Sequence, residues 1–165
     1  MLVRIIIEGI GLSILLFIMC AVGIKDGAVG MVHMYHKDVQ DKCVEMELTT
    51  YERIRKRGKV MKLCGMLIYL VYVLTVVYVV DGIRGFLPGF LHIFAILSIM
   101  NLFDRLVIDG YWVGHTKAWT IPGTEEYKPY INQKDKAVKW AIGTASFAVL
   151  AAAVSAAMEA AVKIF

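Results

Sequence analysis

The chain has 165 residues, 59% of them hydrophobic and 19% charged, with a mean hydropathy of +0.65 and a formal net charge of +4. Soluble domains carry about 25% charged residues and less apolar surface, so an ordinary soluble domain is excluded as the body of this chain. Cys20, Cys43 and Cys64 are too dispersed for a metal knuckle or a CxxC redox pair, and the expectation is thiols packed as small hydrophobes.

The first apolar stretch covers about residues 2–24. Glu8 interrupts it and no A-x-A site comes after it, so it reads as a retained helix rather than a cleaved signal. Phe17, Ile18 and Met19 stand where a lipoprotein signal has small residues before its cysteine. Arg4 and Glu8 are spaced i,i+4 and are expected to pair. Gly9, Gly11 and Ser13 offer a site of close helix approach.

Residues 25–59 form a polar loop. His33 and His36 are three apart, half of a metal site at most. HKDVQDKCVEMEL reads as an amphipathic helix with Val39, Cys43 and Met46 on its apolar stripe. Thr49-Thr50-Tyr51-Glu52 fits a capping box with Thr49 as N-cap, and a basic helix, YERIRKRGKVMK, runs from it into the next span.

The second span covers about 60–80. Its β-branched residues suggest a strand in water, but in lipid the backbone's hydrogen bonds must close within the segment, which favours helix. Tyr69, Tyr72 and Thr75 climb one side, placed for interhelical hydrogen bonds. Asp81-Gly82-Ile83-Arg84-Gly85 is a short turn-rich connection, and Pro88 suits the first turn of a third span over about 86–108. His92 lies well inside that span, with Glu8, Asp81, Tyr72 and Tyr78 as candidate partners.

Residues 109–136 form the second long loop. Pro122-Gly123 marks a turn, and Thr124 is placed as the cap of a short helical segment, with Glu125 and Glu126 in its first turn. Trp112, Trp119, Tyr127, Tyr130 and Trp140 give this region the composition of an interfacial aromatic belt. The fourth span covers about 137–162. Ala148, Ala152, Ala156 and Ala160 recur at helix-contact spacing, for packing within the bundle or against a second copy. Glu159 and Lys163 are expected to pair at its end.

Lysine and arginine are asymmetric across these spans. The segment between the first two holds nine and that between the last two holds six, whereas Arg4, Arg84 and Lys163 are the three on the other side. The positive-inside rule then puts both long loops in the cytoplasm and both termini outside, in a plasma (inner) membrane. The expected fold is all-α: a single four-helix transmembrane bundle with short amphipathic cytoplasmic helices.

Chemistry concentrates around the loop end of the third span: Asn101, Asp104, Arg105, Asp109, His115 and Lys117. Ionisable groups at membrane depth usually face the protein interior or a wet cavity. Asp104 and Arg105 are adjacent, so each is expected to find its partner on another element. This set reads as a ligand-binding pocket for a lipid head group, an amphipathic small molecule or a partner protein, with Arg105 and Lys117 as anion contacts. The plain structural alternative is a polar collar that fixes helix register. A second alternative is a membrane enzyme acting on a lipidic or polyprenyl substrate through Asp104, Asp109 and His115, and a third is an oligomeric channel or transporter subunit with His92 on the path. No P-loop, Rossmann fingerprint, G-x-S-x-G elbow or HExxH motif occurs. The expected partners are membrane lipids and a second copy or partner membrane protein, with no nucleic acid, cofactor or metal.

Overall fold

The computed structural model describes residues 2–164 and the side chains of residues 2–162. The described residues are helical, with no strand among them, and include four helices long and apolar enough to cross a membrane. Helix α1 spans Leu2–Gly23. A 3-10 segment, Ala28–Met34, leads to the short amphipathic helix α2, Lys37–Glu45. Helix α3, Tyr51–Val73, widens into a π turn over Leu74–Val80. Helix α4, Phe86–Phe103, does the same over Asp104–Trp112 and ends in the single turn α5, Val113–His115. Helix α6 is Gln133–Ile164. The expected Glu159–Lys163 pair lies outside the described residues, because it needs the Lys163 side chain.

Helix α4 is the hub, packed along its length against α1 on one side and α6 on the other. Its Ile93, Ile96, Leu97 and Met100 are fully buried, whereas α3 and α6 turn much of their apolar surface outward. Small residues set the close approaches, since van der Waals packing rather than hydrophobicity joins apolar helices in an apolar surround. A Cβ added at Gly9 would lie 2.7 Å from Ile99 on α4, so the close approach expected of Gly9 is realised there. On α6 the contact face differs from the expected alanine stripe. Ala151, Val154 and Ser155 are buried, while Ala156 and Ala160 point outward. The pull comes from Asn101 and Tyr78, whose hydrogen bonds to Thr144 and Ser155 turn that side of α6 inward.

Helix α3 begins one residue later than the capping box implies. Thr50, in extended conformation, is the N-cap, and its Oγ1 accepts from Arg53 N–H at 3.3 Å, while Thr49 is buried. The connection to α4 turns at Gly82 (φ 63°) and Gly85 (φ 88°), which take backbone angles that side chains disfavour.

The two long loops pack on each other at one end of the bundle. On α2, Val39 and Cys43 are fully buried, as the stripe predicted, and Met46 lies against Gly123. The aromatic loop is only partly a surface belt. Trp119 is fully buried and Tyr130 nearly so, while Trp140 is exposed. Tyr35 donates its hydroxyl to the Trp119 carbonyl at 2.7 Å and stacks on Tyr130 with centroids 4.6 Å apart. Trp112 stacks on Phe17 of α1 and meets Trp119 edge-on. Thr124 stands at the N-cap of the short Glu125–Tyr127 turn, as expected, but its side chain makes no cap bond. Its hydroxyl bonds the Ile121 carbonyl and the Tyr130 hydroxyl, which need a partner because they are buried. Cys20 and Cys43 are buried as expected, but Cys64 is exposed on the outer face of α3.

Candidate functional site

Three polar regions stand out: two centres toward opposite ends of α4, and a set of cationic grooves at the long-loop end. Asn101 anchors the first toward α6. Its Nδ2 donates to Thr144 Oγ1 at 3.1 Å and to the Trp140 carbonyl at 3.3 Å, and a Cβ at Gly143 would lie 3.0 Å from its Oδ1. The absent Gly143 side chain leaves room for the amide, so Asn101 fixes the register of the two helices.

One turn further on, Arg105 bridges Asp104 and Asp109, donating from Nη2 to the first and from Nη1 to the second. The expected partners on other elements are therefore not used by Asp104 and Arg105. An uncompensated buried charge is so unfavourable that even an adjacent pair closes, and the long guanidinium fork can satisfy two carboxylates at once. Asp109 Oδ1 and Arg105 Nε remain buried without hydrogen-bond partners.

His115 and Lys117 are exposed. His115 Nδ1 lies 3.1 Å from the Gly110 carbonyl and its ring stacks on Tyr111. Among the described residues no hydrogen bond or ion pair joins His115 or Lys117 to the triad. The structure thus brings Asp104, Arg105 and Asp109 together, sets Asn101 against α6, and leaves His115 and Lys117 at the surface.

The cationic grooves arise from the helical period of α3. Ile54, Gly58 and Gly65 face inward, which leaves the arginines and lysines of the same stretch outward on two flanks. On one flank a cavity of about 530 Å³ has an apolar floor of Val22, Met31, Val60 and Met61, with Arg53, Lys56 and Arg57 around it and Asp26 beside them. On the other flank a cavity of about 470 Å³ is bounded by Arg55, Lys59 and Lys62, with His33 and Tyr51. A shallower groove of about 330 Å³ on α4 and α6 holds Arg105, Lys136 and Trp140.

The two loop histidines do not form a joint site. His33 packs under Gly58, and burial pushes its pKa below the usual value, with Lys62, Arg57 and Lys139 pushing the same way. His36 stands at the N-cap position of α2 without a side-chain cap bond and lies 2.6 Å from Asp135, tying the first loop to the start of α6.

The second centre lies at the short-turn end. His92 of α4 is buried, with Nε2 2.7 Å from Glu8 Oε2 on α1 and 3.3 Å from Asp81 Oδ2 just after the π turn of α3. Arg4 Nη1 donates to Asp81 Oδ1 at 2.7 Å. The expected Arg4–Glu8 pair is thus exchanged for two cross-helix contacts, because Glu8 faces the α1–α4 interface while Arg4 lies at the rim. Tyr72 donates to the Glu8 backbone carbonyl at 2.7 Å, the interhelical bond its position suggested. The sequence named Glu8 and Asp81 as partners of His92 but did not mark the three as a site. The available signal was an acid and an imidazole inside two separate apolar runs.

No protein-family model, curated protein or solved structure matches this chain. Only its own residues and their geometry bear on its function.

Proposed function

We propose that this chain is a multi-pass membrane protein of the binding class, set in a plasma membrane with both long loops in the cytoplasm, and that it holds the phosphate-bearing head groups of anionic lipids at that face. The observation that supports this most is the groove with Arg53, Lys56 and Arg57 over an apolar floor, beside the last turn of α1. In the proposed orientation, the end of that apolar helix is where a lipid's phosphate would give way to its acyl chains. Arginine suits phosphate because its planar fork donates two parallel hydrogen bonds. Each basic side chain near an anionic surface contributes about 1 kcal/mol, so three together correspond to roughly 100-fold in affinity. The groove on α4 and α6, with Arg105, Lys136 and Trp140, serves as a second, weaker contact, since Arg105 is already neutralised by two carboxylates.

The test is lipid retention. Native mass spectrometry of protein taken from mixed phosphatidylcholine and phosphatidylglycerol nanodiscs should show phosphatidylglycerol carried along by the wild type. Retention should be lost in the combined variant Arg53→Gln, Lys56→Gln, Arg57→Gln. A control with Lys37, Lys117 and Lys134 changed to Gln removes as much charge from the same end and should retain it. Equal retention in the two triple variants would show that only diffuse charge matters, and the groove reading would be wrong. Orientation is tested separately: cysteines placed at Arg55 and Lys128 should be labelled from the same side of the bilayer, and labelling from opposite sides would overturn the topology.

A further inference from the structure

The centre at the short-turn end contains one more ligand than hydrogen bonding can use. Ligand atoms of Glu8, Asp81 and His92 all lie within 4.8 Å of one another. His92 Nε2 carries at most one hydrogen, and its contact with Glu8 Oε2 is the shorter, at 2.7 Å. Asp81 Oδ2 sits 3.3 Å from the same nitrogen, is buried, and has no hydrogen-bond partner, although its side chain is only 3% exposed. An unpartnered carboxylate oxygen aimed at a carboxylate and an imidazole is an unfavourable arrangement unless something positive lies between them.

We infer that Glu8, Asp81 and His92 form a binding site for one divalent transition-metal cation, with zinc the best match. The geometry supports this. In a tetrahedral zinc site with bonds of about 2.0–2.2 Å, ligand atoms lie about 3.3 Å apart. The His92–Asp81 separation already has that value, and the His92–Glu8 pair must open by about 0.6 Å once a metal replaces the shared proton. Charge agrees as well. Two carboxylates against the single Arg4 guanidinium leave a deficit of one positive charge with neutral imidazole, so a divalent cation is attracted. The donor set, one imidazole and two carboxylates, is among those zinc accepts and is less suited to a soft monovalent ion.

The surroundings are those of a held site. Its three ligands come from three separate elements, α1, α4 and the end of α3. The α1–α4 distance is fixed by Gly9 against Ile99, and Tyr72 ties the Glu8 backbone to α3. Arg4 holds the second oxygen of Asp81, as outer-shell donors orient a metal-bound carboxylate. Three protein ligands leave a fourth position for water or an incoming group. This site is independent of the lipid grooves, which lie at the other end of the helices.

The competing arrangement is a metal-free clamp in which imidazolium serves both carboxylates. The experiment uses the full chain in nanodiscs, stripped with chelator and titrated with zinc, with cobalt as a spectroscopic substitute. The wild type should bind one equivalent per chain, raise its melting temperature, and give the visible absorption band of a four-coordinate cobalt centre. Asp81→Asn, which keeps shape and removes the ligand charge, and His92→Gln should each weaken binding by more than the roughly 10–100-fold that outer-shell changes cost. Asp104→Asn at the opposite centre should leave it unchanged. If the stripped wild type takes up no zinc or cobalt, the inference fails, whether or not the variants fold. It also fails if Asp81→Asn and His92→Gln bind as tightly as the wild type.

Discussion

The two charged centres on α4 solve the same problem in different ways. Toward the long-loop end, Arg105 and its two aspartates lie within one stretch of a single helix, and the guanidinium reaches both carboxylates. Toward the short-turn end, the acid, the second acid and the imidazole come from three elements, and Asp81 Oδ2 is left without a hydrogen bond, as Asp109 Oδ1 is at the other centre. The first is held together within its own helix, with Lys139 of α6 as the further positive charge beside it. The second exists only when α1, α3 and α4 are assembled.

Five single substitutions and one combined replacement break or sharpen that contrast. The largest effect belongs to Arg105→Met, which strands two buried carboxylates. It should destabilise the protein by about 3–5 kcal/mol, measured by thermal or denaturant unfolding in detergent. Replacing Arg105, Asp104 and Asp109 together by apolar residues should restore part of that loss, since no carboxylate is then stranded, while Lys139 loses the two aspartates beside it. In metal-free protein Asp81→Asn should change stability by less than about 1 kcal/mol. It gives up a contact with the largely exposed Arg4 and the longer, 3.3 Å contact with His92, and it relieves an unpartnered carboxylate oxygen. Comparable losses from Arg105→Met and Asp81→Asn would erase the difference between the centres.

The α1–α4 approach gives an intermediate case. Gly9→Val should cost about 1–3 kcal/mol through overpacking against Ile99. It should also weaken zinc uptake, because Glu8 is its neighbour, whereas Arg105→Met should not. At the long-loop end, Thr50→Ala removes the N-cap of α3 and should cost about 1 kcal/mol, leaving zinc uptake intact.

The smallest effect is in pH. His33 has a folded pKa below its unfolded value of 6.5, through burial and then the nearby Lys62, Arg57 and Lys139. Folding therefore favours the neutral ring. Its contribution is fully present above pH 6.5 and is lost as pH falls through the depressed folded pKa. His33→Gln should flatten the acid side of a melting-temperature profile. An unchanged profile would show that His33 does not carry that loss.

Local pattern was enough for much of this architecture. Runs of apolar residues long enough to span a bilayer located all four rods, and Gly82 and Gly85 marked the turn between α3 and α4. The Val39–Cys43 spacing placed α2. These features were legible because periodicity, length and turn chemistry are properties of neighbouring residues. Tertiary packing decided which charge meets which. Arg4 and Glu8 satisfy the i,i+4 rule, yet each reaches across to another helix. The alanine ladder of α6 yields to a face carrying Gly143, Ala151 and Ser155, and Trp119 leaves the surface for the core. Each of these outcomes depends on how a helix is rotated about its own axis. That rotation is set by the groups on the facing helix, which no window of sequence contains.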